Sequence, residues 1–151
     1  MYLFRLLLAI WGFGLIGTIG ELLLLEHFDG ALQTIPLALL AIGVMSSMWY
    51  VWRRTGVSLR AFEGTLVLFA VSGAAGLFLH YRGNVEFEKE RDAALHGVGL
   101  FWHSITGATP TLAPGTMVFL ALIGLAVTIA DPRRPPGSAG DPFRGADSRA
   151  H

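Results

Sequence analysis

Residues Leu6–Leu25 read LLLAIWGFGLIGTIGELLLL, apolar or small throughout except for Glu21. About 20 residues rising 1.5 Å each cover a hydrocarbon core of ~30 Å, so the run is long enough to span a bilayer as a helix. The rival reading is a cleaved signal peptide. Arg5 precedes the apolar stretch, and Thr18 and Gly20 mimic a small-x-small cleavage site ahead of Glu21. Apolar sequence then resumes through Leu22–Leu25, which a mature secreted terminus has no reason to carry. The stretch reads as a membrane anchor, and the fold class follows from it.

Working outward, Ile35 to Trp52 is uncharged and long enough to span, with Pro36 expected in its first turn, where a missing N–H costs nothing. It closes on Trp49-Tyr50-Val51-Trp52, an aromatic cluster suited to the headgroup region. Gly64 to Leu79 is a third apolar run that Phe62 and Tyr81 extend. A fourth begins near Pro114 and is stopped by Asp131-Pro132. These runs predict an all-α membrane protein: a four-helix transmembrane bundle with spans at about 4–25, 35–52, 63–81 and 114–130, and an extracytoplasmic cap, 82–113, between helices three and four. Residues 131–151, rich in Pro, Gly, Arg and Asp, are expected to form a disordered cytoplasmic tail.

Composition narrows the function classes. Charged residues make up 15% of the chain against about 25% in soluble domains, so the missing charge points to lipid rather than water. Formal net charge is zero, which gives no basic excess for a nucleic-acid partner. The absence of cysteine excludes disulfides, thiol catalysis and thiolate metal sites. Basic residues set the orientation. With four spans, Arg5, Arg53, Arg54, Arg60, Arg133, Arg134, Arg144 and Arg149 fall on one face, and only Arg82, Lys89 and Arg91 on the other. Eight against three predicts both termini inside.

Small residues recur in every predicted span: Gly12, Gly14, Gly17 and Gly20, then Ala38, Ala41 and Ser46, then Ser72, Gly73, Ala75 and Gly76, and finally Ala121 and Gly124. Helices in lipid associate through close backbone approach, so this recurrence predicts tight packing.

Polar groups are few. Glu21 is the one acid within a predicted span, near its outer boundary, and reads either as an ion or proton site or as a carboxylate that snorkels. Glu26, His27 and Asp29 offer metal-ligating or hydrogen-bonding groups in the first outer link, and His80 lies at similar depth at the end of the third span. The competing reading of that link is a hydrated loop with Asp29 as a helix cap. No metal identity and no cofactor, whether quinone, pigment or nucleotide, can be named from these residues, since no ligand motif is present.

From His80 to Asp92 the chain is at its most polar. Val85-Glu86-Phe87-Glu88-Lys89-Glu90 alternates with period two, as an extended strip would, with Glu86, Glu88 and Glu90 on one face. Arg82, Asn84, Glu86, Glu88, Glu90 and Trp102 are the candidate outer docking surface. Asp92 to Thr106 then has helical periodicity, with Leu95, Val98, Trp102 and Ile105 on one stripe, His96 and His103 on another, and Asp92 able to cap its start.

His80-Tyr-Arg-Gly-Asn-Val-Glu-Phe-Glu88 and Gly107-Ala-Thr-Pro-Thr-Leu-Ala-Pro-Gly-Thr-Met117 resemble segments of small uncharacterised bacterial four-helix integral membrane proteins. The resemblance implies a bacterial inner membrane and carries over no catalytic residue.

Three functions are compatible with these residues. The first is a non-enzymatic accessory or scaffold subunit of a larger inner-membrane assembly, whose partners are the bilayer and other membrane subunits or a second copy of the chain. The second is a small transporter or ion-handling protein using Glu21 and His80, although the middle of each span is apolar and no inverted repeat is evident. The third is a membrane enzyme acting on a lipid or quinone with His80, Glu86 or Glu88 as acid–base groups, for which no nucleophile–base pair is recognisable.

Overall fold

The computed structural model describes residues 1–26, 30–107 and 113–134. Among them all regular structure is helical: α1 (Tyr2–Leu24), α2 (Ala31–Arg53), α3 (Gly56–Arg91), α4 (Gly97–Ile105) and α5 (Gly115–Ala130). Three of these, α1, α2 and α3, are long and apolar enough to cross a membrane. The 16 residues of α5 are as apolar but reach only about 24 Å at 1.5 Å per residue.

Helices α1, α2, α3 and α5 pack in a ring in which α1 touches α2 and α5, and α3 touches the same two from the other side. Cross-contacts fix their directions. Phe4 lies under the Arg54 guanidinium at the end of α2, while Trp11 donates from Nε1 to the Leu120 carbonyl at 3.0 Å. Gly73 on α3 meets the start of α5. Each helix therefore runs antiparallel to its neighbours. Both ends of the described chain, together with the α2–α3 junction, gather at one end of the packing, and that end carries Arg5, Arg53, Arg54, Arg60, Arg133 and Arg134.

Large apolar side chains point both ways. Trp11, Leu40, Phe62, Phe69 and Leu120 form the core, with Trp11 edge-on to Phe62 at 5.1 Å between centroids. Phe13, Ile16, Met48, Val71 and Leu122 stand outward and uncovered. Such a continuous apolar exterior suits lipid. Inside, small hydroxyls hide their donors in the helix itself: Thr18 bonds the Gly14 carbonyl and Thr65 the Ala61 carbonyl, so burial leaves them satisfied.

Close backbone approach is achieved at particular glycines. A Cβ on Gly73 would sit 2.9 Å from the Pro114 carbonyl oxygen, and one on Gly124 would collide with Leu66 and the Trp11 indole. Gly12, Gly17 and Gly20, by contrast, face open space, so only part of the small-residue pattern is spent on contacts within the chain.

Several expectations are corrected. Pro36 lies inside α2 rather than in its first turn, because the helix begins at Ala31. Only Arg54 and Thr55 separate α2 from α3. Ser58 and Arg60 already belong to α3, whose start is fixed by a capping box: Ser58 N–H donates to Thr55 Oγ1 at 3.2 Å, and Thr55 N–H to Ser58 Oγ at 3.0 Å. The extended strip over Val85–Glu90 is helix, since α3 continues unbroken past Tyr81 to Arg91. Asp92 does not cap α4; it ends α3 and turns its carboxylate to the Ala94 N–H, while His96 occupies the N-cap. The disordered tail expected over 131–151 lies outside the described residues from 135 onward, but its first residue, Asp131, is buried.

Candidate functional site

At 36 residues α3 spans about 54 Å, well beyond a hydrocarbon core of ~30 Å. Its surplus carries the polar residues from His80 to Arg91. The charges there are matched along the helix: Arg82 pairs with Glu86 at 2.9 Å (i, i+4), and Arg91 Nη2 lies 2.8 Å from Glu88 Oε2 (i, i+3), close but out of line for a hydrogen bond. What looks in sequence like an acidic strip is thus largely neutralised.

The chain then turns at 92–96 and returns as α4 against α3. Asn84, fully buried, donates from Nδ2 to the Ser104 carbonyl at 2.9 Å. Ser104, also buried, bonds back to the Leu100 carbonyl, and Gly107 packs directly on the Asn84 amide. Tyr81 and Phe101 stack obliquely with centroids 6.0 Å apart. These contacts hold α4 with Leu100 and Ser104 inward, which turns its other apolar residues outward. Val98 is 84% exposed and Trp102 64%, with Phe101 and the α3 residue Phe87 about half exposed. The result is an exposed aromatic and apolar surface on the cap.

Two residues expected on the docking surface are therefore structural. Asn84 clamps α4, and Glu88 is buried with 3% exposure beside Arg91. Arg82, Glu86, Glu90 and Trp102 remain on the surface.

The expected ion site is not assembled among the described residues. Glu21 and Glu26 are exposed on α1 and in the turn after it, and neither has an ion pair or hydrogen-bonding side-chain partner there. His27 and Asp29 lie outside the described residues. His80 is on α3, diagonal to α1 in the ring; its Nδ1 is buried and meets no hydrogen-bond partner among the described residues. No group of three or more His, Asp or Glu side chains that could hold a metal occurs among those residues. His96 and His103 are exposed on the cap.

Sequence reasoning missed a polar cluster at the other end. Asp131 accepts the Tyr50 hydroxyl at 2.7 Å, Arg54 Nη1 at 2.7 and 3.0 Å, and the Arg133 amide at 3.0 Å. Its side chain is wholly buried, and Tyr50 in turn stacks on Phe62 at 5.7 Å. Arg54 adopts the left-handed region with φ +49°, and its guanidinium lies 4.8 Å over Phe4. A glycine would relieve that backbone but could not reach the carboxylate. Nearby, Arg134 and Glu63 pair at 3.0 Å. The cluster ties α1, α2, α3 and the residues after α5 at one level. It has the full complement of partners expected of a structural clamp rather than a reactive centre.

No protein-family model, no curated protein and no solved structure matches this chain.

Proposed function

We propose that the chain is a non-enzymatic accessory or scaffold subunit of a larger bacterial inner-membrane assembly. It spans the membrane with four helices, α1, α2, α3 and α5, keeps both termini in the cytoplasm, and docks a second integral membrane subunit on its outer cap. One observation carries this reading: a buried Asn84 hydrogen bond and a close glycine hold α4 so that Val98, Phe101 and Trp102 stand outward beside Phe87. Apolar side chains held in the open, Trp and Phe among them, have the composition of a protein-binding patch. Pairing of Arg82 with Glu86 supports it too, since it leaves the apolar groups rather than net charge to choose the partner.

Affinity purification of the full chain in mild detergent, followed by mass spectrometry, tests this. A stoichiometric membrane partner retained by the wild type and lost from Trp102→Asp is the expected result. A wild-type chain that runs only as an isolated monomer overturns the proposal. The ion-handling alternative has one observation in its favour, the unpartnered Nδ1 of His80, but no group of three or more ligating side chains occurs among the described residues.

A further inference from the structure

Two grooves run along the outside of the packed helices, and they differ at their basic ends. The groove between α3 and α5, about 440 Å³, ends at the Arg134–Glu63 ion pair, so the cation on its rim is already matched. The groove between α1 and α2, about 610 Å³, ends differently. Leu8, Gly12 and Ile16 line it from α1, and Ser47, Met48 and Trp52 from α2. Its one hydroxyl, on Ser47, is spent on the Val44 carbonyl at 2.9 Å. The interior therefore offers apolar contact only, at a volume in the range of ordinary ligand sites.

The rim is cationic. Arg53 holds its guanidinium 5.2 Å over the Trp52 ring, which lines the groove. Arg5 lies one turn before Leu8 on α1. Both arginines are exposed, and neither pairs with a carboxylate among the described residues, whereas Arg54 and Arg134 do. An apolar slot within the spanning helices that opens at two uncompensated cations matches one kind of molecule: a long hydrocarbon chain joined to a phosphate.

We propose that the α1–α2 groove is a binding site for an anionic phospholipid of the bilayer, one acyl chain lying along Gly12 and the phosphate-bearing headgroup held by Arg53 and Arg5. A zwitterionic lipid has the same chains but a headgroup whose ammonium offsets its phosphate, so the arginines select by charge and the groove by shape. Trp52 orients Arg53 at the depth where the chain ends and the headgroup begins. The site is independent of the cap, so it stands or falls separately from the docking proposal.

Native mass spectrometry of the full chain in mild detergent, titrated with phosphatidylglycerol or phosphatidylcholine, tests it. The wild type is expected to retain phosphatidylglycerol over phosphatidylcholine by about tenfold, and Arg53→Ala to lose about fivefold of that preference, the effect of one basic group at a lipid surface. Arg53→Lys should keep most of it. Gly12→Leu should abolish retention of the lipid by filling the slot, and it should do so without unfolding, because a Cβ there meets no atom within 4 Å. Equal retention of the two lipids, or phosphatidylglycerol retention unchanged in both Arg53→Ala and Gly12→Leu, overturns the proposal. A dimer abolished by Gly12→Leu while lipid retention persists would assign the groove to a second copy of the chain and overturn it equally.

Discussion

Asp131 shows how one residue can hold several helices together. A carboxylate removed from water is costly, and here the cost is offset by three donors: the Tyr50 hydroxyl, the Arg54 guanidinium and the Arg133 amide. Removing the acceptor strands two of those donors in a protein interior, which is worse than never having built the pair. Asp131→Ala is therefore expected to lower stability by about 3–5 kcal/mol. Tyr50→Phe, which removes one hydrogen bond to a charged group and keeps the stack on Phe62, should cost about 1.5–3 kcal/mol. Chemical unfolding in detergent micelles, followed by circular dichroism, measures both; equal losses would show that the carboxylate matters only to Tyr50. None of this is legible in the sequence. Tyr50 there reads as a headgroup aromatic, Arg54 as one of the basic charges that set orientation and Asp131 as a helix stop. Each reading is locally sound, and only the antiparallel packing brings the three together.

In α3, apolar periodicity alone is a poor guide to the element. Val85 to Glu90 alternates apolar and charged residues, which fits a strand, but the same segment carries the helical spacings Arg82–Glu86 and Glu88–Arg91. Charges at those spacings support a helix whatever the apolar pattern between them. The long apolar helices are more legible, because a run able to cross a bilayer must be long and uninterrupted and leaves a plain trace in the sequence. The place where a helix leaves the membrane and continues in water leaves a weaker one. The seat of α4 depends on Asn84, which in sequence reads as part of a docking surface and in the fold is a buried donor. Asn84→Ala should therefore release α4 while leaving the spanning part intact. Hydrogen exchange over Gly97–Ile105 is expected to rise by about tenfold, the effect of losing ~1.4 kcal/mol of local protection, with exchange in the core of α3 near Phe69 unchanged. Exchange that rises equally in both segments would mean that the cap and the spanning helices open as one unit.

The whole molecule is polar at both ends and apolar between, and the two ends differ in kind. One end gathers Arg5, Arg53, Arg54, Arg60, Arg133 and Arg134; the other has Arg82, Lys89 and Arg91, of which Arg82 and Arg91 lie against glutamates. Buried pairing consumes Arg54 and Arg134, but topology is set during insertion by basic residues flanking the spans, before such pairs form, so all six count. The basic end should face the cytoplasm. Because the chain has no cysteine, single substitutions report on sides without any background labelling. Arg60→Cys, at the exposed start of α3, and Lys89→Cys, near its exposed end, sit on one continuous helix about 44 Å apart by its rise per residue. A membrane-impermeant maleimide applied to intact spheroplasts should label Lys89→Cys and reach Arg60→Cys only after lysis. The opposite pattern would invert the orientation and put the Trp102 patch in the cytoplasm. Labelling of both positions from outside would deny that α3 crosses the membrane, and the lipid-facing reading of its exposed Val71 and Phe78 would fall with it.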